Sequence, residues 1–354
     1  MLRLRSTAAI ALAIACLPAA FASCGSDAPA LLVSADGKYR VAFIGEGKWI
    51  ETEGRQQMEA ALARLPQIDL VYAHNDPMAH GAALAARQQG RTGIRFIGVD
   101  GLAHEGRRYV QDGLLDATFE YPTCAAAALD LALLACRGVA TPGAQMPAVA
   151  ARRAYLVGTS AFSRDNPAGE PQPGPADIAL LTLRRQHAAL LDAGEGAPVK
   201  IGMAQCNDAE PWREAMREDM KAWAQAHPFV QFDYRDAAND TQKQRDIVAD
   251  FTAQGFDAIV VSPKESLALA QVCKAAIAKG IKVIVLDREL GGDDFTCFVG
   301  GDNVQIGRLV GQRIRQLLPQ GGTIVEIQGL MTSSPAQERH RGFVEGLQLA
   351  APPR

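Results

Sequence analysis

Asn75 and Asp100 are polar residues that each end an apolar stretch of the chain. The two stretches, 70–73 and 94–99, have the composition of buried strands, and an Ala-rich segment of helical character lies between them. In a βαβ unit of this kind, both polar side chains lie at the carboxyl edge of a parallel sheet. Open α/β sheets bind ligands at that edge, so Asn75 and Asp100 are the first candidates for a binding site.

A second segment, 257–289, repeats this plan. An apolar strand ends at Ser262, a helix follows, and a further apolar strand ends at Asp287. Ser262-Pro263 matches Asp76-Pro77, and in both modules the pair predicts an N-cap followed by proline at the first helical position. Two similar modules indicate an α/β protein of two similar lobes, each with a central parallel sheet flanked by helices, and a cleft between them.

Residues that could support other chemistry lack the necessary spacing. Gly45-Glu46-Gly47 has no third glycine at dinucleotide spacing, and the sequence has no phosphate-binding loop. His74 and His80 stand on either side of a predicted strand-to-helix junction, so they do not share a helical face for a metal. Ser333 and Ser334 have no His/Asp partners in a recognised order and are expected to cap a helix. We therefore expect no catalysis and no cofactor.

The composition is that of an ordinary globular α/β protein with room for two domains. The 354 residues are 48% hydrophobic, and 39 acidic against 36 basic residues give a formal charge of -3. The sequence has no long basic run, which argues against nucleic acid as a partner.

Residues 1–23 predict an export signal, with Arg3 and Arg5 ahead of an apolar run that is too short to be a permanent anchor. The sequence up to Cys24, FASC, resembles a bacterial lipoprotein processing site. Cys24 would then carry lipid, and residues 24–38 would form a tether. Cleavage after Ala22, which would release a soluble periplasmic protein, is the alternative.

The cysteines show no metal-binding pattern. Of the seven, Cys16 falls within the export signal and Cys24 at its processing site, which leaves an odd number. Buried free thiols are the favoured interpretation, and pairing of Cys273 with Cys297 is the alternative.

The α/β alternation is interrupted once. Residues 163–175 are rich in proline and predict an exposed linker, which continues to residue 197. Strands and helices are predicted from Tyr39 to Val157 before it. A new series begins at Val199 and ends with a helix near Leu349.

Seven segments together resemble the type I periplasmic sugar-binding proteins, the family of ribose- and galactofuranose-binding proteins. They cover nearly all of the sequence outside the export signal, the tether and residues 163–197. The segments are VYAHNDPMAHGA (71–82), FIGVDG (96–101), DGLLDATFE (112–120), DAIVVSP (257–263), VIVLDRE (283–289), FVGGDNVQIGRL (298–309) and VEIQGLMTSSPAQERHRGF (325–343).

The order of these segments departs from the family. Blocks of the family's second half come first, from Tyr39 to about Gly158, and its first half runs from Val199 onward. The resemblance therefore implies a circular permutant in which residues 163–197 join the ancestral termini. Such a rearrangement is tolerable because both cuts lie at the surface and leave the packed units whole.

The resemblance also implies a hinge between the lobes, which would permit closure around a ligand. The expected chain crossings fall at 299–302, 119–122 and about 150–155. One lobe would combine 122–150 with 199–298, and the other would combine 39–119 with 302–349.

A sugar site needs planar bidentate partners for adjacent hydroxyls and an aromatic surface for the C–H face. From the strand ends and the resemblance, the expected ligand-binding residues are Trp49, Asn75, Asp100, Glu120, Trp212, Arg213, Asp287, Arg288 and Arg339. Cys206 and Ser262 are expected to line the cleft. The competing roles are loop capping for the aspartates, surface ion pairs for the arginines, and core packing for the tryptophans.

The function implied by the resemblance is that of a monomeric, non-enzymatic receptor in the periplasm or cell envelope. It would capture a monosaccharide, a pentose or hexose, and deliver it to the permease of an ABC importer. The Trp-Arg pair with Glu120 resembles the galactofuranose branch more than the ribose branch. The alternative is a sensor that presents its closed form to a membrane histidine kinase or chemoreceptor.

Overall fold

The computed structural model describes residues 30–141, 154–192 and 198–352 and contains two lobes, each built on one sheet. The expected α/β class is confirmed, since parallel strands form the centre of both sheets and helices flank them. The predicted export signal and Cys24 lie outside the described residues. Within those residues, no helix combines the length and apolar composition that crossing a bilayer requires.

The strands follow in chain order. They are β1 (Leu32–Ser34), β2 (Tyr39–Glu46), β3 (Leu70–Ala73), β4 (Arg95–Asp100), β5 (Ala117–Glu120), β6 (Ala154–Val157), β7 (Thr159–Ser163), β8 (Asn166–Gln172), β9 (Val199–Gln205), β10 (Val230–Asp236), β11 (Ala258–Val261), β12 (Lys282–Leu286), β13 (Cys297–Gly301), β14 (Gly322–Gln328) and β15 (Leu349–Ala350). The helices are α1 (Glu51–Arg64), α2 (Asp76–Gln88), α3 (Gly106–Gln111), α4 (Ala125–Cys136), α5 (Asp177–Gln186), α6 (Ala188–Asp192), α7 (Pro211–Ala226), α8 (Thr241–Ala253), α9 (Ser266–Ala278), α10 (Asn303–Leu317) and α11 (Ser334–Leu347).

Lobe A contains a six-stranded sheet in the order β10-β9-β11-β12-β13-β6, with every pair parallel. Lobe B contains a nine-stranded sheet in the order β15-β1-β2-β14-β3-β4-β5-β7-β8. Its five central strands are parallel, and antiparallel strands extend both edges. β3 and β11 are buried at every residue, as expected for parallel strands covered on both faces by helices.

The chain passes between the two sheets at three short segments that the strand assignments define. These lie after Glu120, at Gly158 and after Gly301. The expected third crossing at about 150–155 is therefore too early, because Ala154–Val157 pairs with β13 as the edge strand of lobe A. A further passage among the described residues leads from β8 in lobe B to α5, which packs on lobe A through an ion pair of Arg184 with Asp130 in α4.

Two segments expected to be irregular are partly ordered in sheets. The end of the predicted tether forms β1, which pairs with both β2 and β15. The start of the predicted linker forms β8, which pairs with β7, and β7 in turn pairs with β5. Pro167 and Pro171 are compatible with β8 because it is an edge strand, where a missing N–H leaves no partner unsatisfied.

The two helix starts predicted from proline differ in the structure. The N-cap of α2 is Asn75 instead of Asp76, and its side chain accepts a hydrogen bond from the Met78 N–H at 3.1 Å. Asp76 is engaged elsewhere, since its carboxylate accepts from the Gly101 N–H at 2.8 Å and the Thr118 hydroxyl at 2.7 Å. In lobe A, Pro263 stays outside the helix, and α9 begins only at Ser266.

Close packing of α10 against α11 fixes the part of lobe B nearest the hinge. A Cβ atom on Gly342 would lie 2.1 Å from the carbonyl oxygen of Val304, so only glycine allows this approach. The contact places Arg339 of α11 beside Asn303, the first residue of α10.

No disulfide joins the described cysteines. Cys273 and Cys297 are both buried and are not bridged to each other, which agrees with the favoured interpretation of the sequence.

Candidate functional site

A cavity lies between the lobes, where the carboxyl ends of the parallel strands face each other. It contains about 340 Å³ of space that protein atoms do not fill, including its opening to solvent. The lining residues are Trp49, Asn75, Asp100, Tyr121, Glu210, Trp212, Arg213, Asp287, Arg288, Pro335 and Arg339.

Eight of the nine residues predicted to bind ligand line this cavity, and Glu120 does not. The Glu120 side chain lies to one side, where its carboxylate accepts a hydrogen bond from Arg107 at 3.1 Å. The structure shows that these eight residues converge on the cavity from both lobes. Their contact with a ligand stays a prediction.

In lobe A, Arg213 and Asp287 form a buried ion pair. Arg213 Nη2 donates to Asp287 Oδ2 at 2.7 Å, and Arg213 Nη1 donates to the Ser262 hydroxyl at 3.0 Å. Burial alone would raise the pKa of Asp287, but Arg213, Arg288 and the Tyr121 hydroxyl together lower it below its ordinary value. Asp287 is therefore a fixed anion that holds the neighbouring arginines in the cavity wall. Ser262 acts here as a support for Arg213, and neither Ser262 nor Cys206 is among the lining residues.

Arg288 is buried, and its partners are incomplete. Its Nε atom has no hydrogen-bond partner among the described residues, and the closest carboxylate contact is Asp287 Oδ2 at 3.8 Å. Asp287 already accepts hydrogen bonds from Arg213, Tyr121 and Ser262. A buried donor without a partner is costly, so Arg288 is a group that a ligand oxygen would satisfy.

In lobe B, Arg339 is the central cation. Its Nε donates to Asn303 Oδ1 at 2.9 Å, its Nη1 donates to the backbone carbonyl of His74, and Nη1 lies 3.8 Å from Asp100 Oδ1. Burial raises the pKa of Asp100 well above its ordinary value, and Arg339 only partly opposes that shift. The Asp100 carboxyl is therefore poised to pair with a ligand hydroxyl in either protonation state.

Asn75 has a structural role as well as a place in the wall. Its side-chain oxygen caps α2, and its Nδ2 donates to the backbone carbonyl of Trp49 at 2.9 Å. The cap of α2 and the wall of the cavity therefore meet at this one residue. Asn75 holds the Trp49 loop against the start of α2.

The two tryptophans differ in how their indole N–H groups are used. Trp212 Nε1 donates to the Tyr121 carbonyl at 2.7 Å, so this ring is held as an aromatic wall. Trp49 Nε1 is buried and has no hydrogen-bond partner among the described residues, and the Arg339 guanidinium lies 5.4 Å from the Trp49 ring centre. Trp49 is therefore able to offer a ligand both an aromatic face and a hydrogen-bond donor.

Three lining residues adopt a backbone conformation that side chains other than glycine rarely take. The φ angles are 73° at Trp49, 119° at Asp100 and 67° at Asp287. Such conformations cost free energy and concentrate where function requires a fixed side-chain direction. Their coincidence around one cavity supports its assignment as the functional site.

Tyr121 and Glu210 line the cavity although neither was among the predicted binding residues. Tyr121 directly follows β5, and its hydroxyl donates to Asp287 Oδ1 at 2.8 Å. Glu210 precedes Pro211, the first residue of α7, and accepts from Arg213 Nε at 3.3 Å. The sequence signal for each is its place directly before a proline at the end of a strand or the start of a helix.

A buried carboxylate lies between two imidazoles behind Arg339. Glu326 faces His74 Nε2 at 3.0 Å and His340 Nδ1 at 2.9 Å. Burial would raise the pKa of Glu326, but the hydrogen bonds of His340 and His74 lower it to about 2. The same Glu326 contact raises the pKa of His340. This cluster holds His74 in place, and the backbone carbonyl of His74 accepts a hydrogen bond from Arg339.

Metal binding has no support in the described ranges, where no group of three or more His, Cys, Asp or Glu side chains is arranged to hold a metal ion. The cavity chemistry is instead that of arginines, carboxyls and indoles, which suits a polar, uncharged ligand with one apolar face.

The profile of the periplasmic binding protein domain family matches residues 31–138 and 201–352. The chain belongs to that family. Its two lobes, helix-flanked parallel sheets and interlobe cavity are therefore features of a periplasmic binding protein. The residues between the two matched ranges, 139–200, include β6 to β8 and the helices α5 and α6.

Similar proteins match this periplasmic binding protein over part of its length. The ribose import binding protein RbsB of Bacillus subtilis is 33% identical over 30% of this chain and 35% of its own length. The galactofuranose-binding protein YtfQ of Escherichia coli is 29% identical over 48% of this chain and 55% of its own length. This chain thus spans about half or less of the relatives that it matches.

Solved structures give matches of similar extent. The fructose-binding periplasmic domain of a hybrid two-component system is 37% identical, covers 42% of this chain and 50% of its own, and has a TM-score of 0.41. A galactofuranose-binding protein is 28% identical, covers 43% of this chain and 52% of its own, and also has a TM-score of 0.41.

Proposed function

We propose that this periplasmic binding protein is a receptor, and not an enzyme, that captures one monosaccharide between its lobes. The observation that carries the proposal is the convergence of three buried arginines, two aspartates and two tryptophans from both lobes on one small cavity. Adjacent hydroxyls match paired guanidinium and carboxyl groups, and a sugar C–H face matches an indole.

The ring form follows less directly. Trp212 and Arg213 both line the cavity, as expected from the resemblance to the galactofuranose branch. This pair supports a sugar in the furanose form. Glu120, the third residue of that comparison, lies outside the wall, so the furanose form rests on the pair alone. The test must therefore include sugars that favour each ring form.

A thermal-shift screen of pentoses and hexoses tests the proposal, because a ligand that binds the folded state alone raises the melting temperature. A member of the panel is expected to stabilise the wild type, and its disaccharides are expected to have no effect. Arg288→Gln is expected to abolish the shift, since it removes a donor that no described partner uses. The proposal fails if no monosaccharide shifts the transition, or if the purified protein converts the sugar that binds.

Delivery to an ABC importer is the cellular role that we propose for the closed receptor. Deletion of the gene should then abolish uptake of the identified sugar. The alternative role is presentation of the closed form to a membrane histidine kinase or chemoreceptor. Loss of a sugar-dependent transcriptional or motile response, with uptake intact, would replace transport by sensing.

We also propose that the chain is a circular permutant of the family order. The first and last described strands support this, because Val33 of β1 pairs with Ala350 of β15 and so brings the two ends of the chain together. The partial matches to relatives are of the kind that a permuted order produces in a collinear comparison. A rearranged gene that joins residue 352 to residue 30 and opens the chain within 173–176 should fold and bind the same sugar.

For location, we propose the periplasm or the outer side of the cytoplasmic membrane, with lipid on Cys24 as the attachment. Radiolabelled palmitate incorporation that Cys24→Ser abolishes would support the anchor. Recovery of unlipidated protein beginning at Ser23 would support the soluble form.

A further inference from the structure

A continuous chain of buried hydrogen bonds runs beneath the cavity from lobe A to lobe B. Arg213 Nη2 donates to Asp287 Oδ2 at 2.7 Å, and the Tyr121 hydroxyl donates to Asp287 Oδ1 at 2.8 Å. Asn303 Nδ2 donates to the Tyr121 hydroxyl at 3.4 Å, and Asn303 Oδ1 accepts from Arg339 Nε at 2.9 Å. The chain thus links the main arginine of one lobe to that of the other.

Tyr121 is the middle member of this chain and belongs to the segment that joins the lobes. Its hydroxyl is the one group that contacts both Asp287 of lobe A and Asn303 of lobe B in the chain described above. Its ring lies 4.9 Å from the Trp212 ring and 4.5 Å from the Arg339 guanidinium, measured to ring centres. Contacts to both lobes are therefore concentrated in one side chain.

The joining segment at Gly301 packs against the same Tyr121 ring. A Cβ atom on Gly301 would lie 2.5 Å from the Tyr121 ring, so the absence of a side chain there permits the contact. Asn303 follows two residues later, and its side-chain amide donates to the Tyr121 hydroxyl. Rotation of one lobe about these segments would separate Tyr121 from Asp287 or from Asn303.

We propose that Tyr121 is a positioning residue that couples Arg213 to Arg339, so that it favours the closed arrangement of the lobes in the ligand-free protein and aligns both guanidinium groups for ligand. The proposal rests on the proposed function for its effect on ligand. The coupling free energy between the two arginines through the Tyr121 hydroxyl is a property of the protein without ligand.

A triple-mutant cycle measures this coupling by urea denaturation of the full chain without added ligand. Arg213→Lys and Arg339→Lys are made singly and together, in the wild type and in Tyr121→Phe. In the wild type, the midpoint shift of the double variant is expected to differ from the sum of the single shifts. In Tyr121→Phe, the shifts are expected to add. Additivity in the wild type, or unchanged non-additivity in Tyr121→Phe, would overturn the proposal.

Two further variants guard against a merely structural effect. Asn303→Ala removes both the donor to Tyr121 and the acceptor for Arg339 Nε, so it should abolish coupling as Tyr121→Phe does. Tyr39→Phe removes a hydroxyl that donates to the Leu318 carbonyl at 2.9 Å in lobe B. Neither residue lines the cavity or belongs to the hydrogen-bond chain, so this variant should leave coupling intact. If Tyr39→Phe abolishes coupling as well, the effect is general destabilisation and the proposal is wrong.

D-ribose and D-galactose serve as probes for the consequence in binding. For a probe that binds, Tyr121→Phe is expected to speed dissociation about tenfold with little change in association, as is usual for changes within one interface. Equal dissociation rates in wild type and variant would overturn the role in closure. If neither probe nor any other sugar binds the wild type, the proposed function fails, whereas the ligand-free cycle still decides the coupling.

Discussion

Arg213 Nη2 lies 2.7 Å from Asp287 Oδ2, and both side chains are at most 4% exposed. A buried ion pair of this kind is costly to break by removing one partner, because the other charge stays buried and unpaired. The pair therefore holds the floor of the cavity in lobe A in one arrangement.

Asp287→Ala should destabilise the protein by about 3–5 kcal/mol, because it leaves the Arg213 charge buried without this partner. Equilibrium denaturation by urea measures the change. The matched control is Glu218→Ala, which removes an exposed carboxylate that pairs with Arg217 and Lys221 and should leave the midpoint nearly unchanged. Similar losses in the two variants would contradict the importance of the buried pair.

Asp100→Asn and Glu120→Gln test the boundary of the site. Both substitutions remove a carboxylate, but Asp100 lines the cavity and Glu120 pairs with Arg107 outside it. The first should weaken binding of the identified sugar by about 10–100-fold, corresponding to one or two charged hydrogen bonds, and the second should leave affinity unchanged. Isothermal titration calorimetry measures both, and a large loss in Glu120→Gln would return Glu120 to the site.

Asn75→Asp and Asn75→Ala separate the two roles of Asn75. Aspartate keeps the cap on α2 but places an oxygen against the Trp49 carbonyl, whereas alanine loses both contacts. We expect Asn75→Ala to lose about 1 kcal/mol of stability from the cap, whereas Asn75→Asp keeps the cap and loses stability from the two oxygens that it brings together in a buried site. Both should weaken sugar binding, because both release the Trp49 loop. Full affinity in Asn75→Asp would show that this loop contact is dispensable.

Glu338 should make stability depend on pH. Burial, and then the facing Glu289 of lobe A, raise the pKa of Glu338 from 4.5 to about 7; Asp302 acts in the same direction, and Arg341 and Asn303 oppose it. Because the folded-state pKa is raised, the protonated form stabilises the fold fully below pH 4.5, and this contribution is lost as the pH rises through 7.

Glu338→Gln should remove about 2 kcal/mol of this pH dependence between pH 5 and 8. Urea denaturation at the two pH values measures it in wild type and variant. Glu59→Gln, which removes a half-exposed carboxylate paired with Arg55, is the control and should keep the wild-type profile. An unchanged profile in Glu338→Gln would assign the pH dependence to other groups.

Much of the site could be predicted because strand ends are local features. β3 and β4 pair in parallel, so Asn75 and Asp100 lie at one edge as their positions after apolar stretches indicated. Glu120 and Tyr121 show where this reasoning stops. Successive side chains of an extended chain point to opposite faces. A binding residue assigned one position too early is therefore Glu120, which lies outside the cavity, instead of Tyr121, which lines it.

The parts of the fold that the sequence did not predict depend on contacts between distant segments. Residues 166–172 carry prolines and glycine that favour a loop, yet β8 forms because the β7–β8 hairpin extends the sheet from β5. β1 likewise forms because β2 and β15 are available on either side. Pairing of this kind has no signature within seven residues of chain.

The pairing of β1 with β15 also decides which lobe would move. Residues 30 and 31 connect directly to an internal strand of the lobe B sheet. Within the described ranges, lobe A is reached only through the joining segments and the passage from β8 to α5. A force applied through the amino-terminal segment is therefore carried by lobe B. With the chain attached through Cys24 as proposed, lobe B would act as the stationary frame, and the proposed closure would swing lobe A, with Arg213 and Trp212, toward a fixed Arg339.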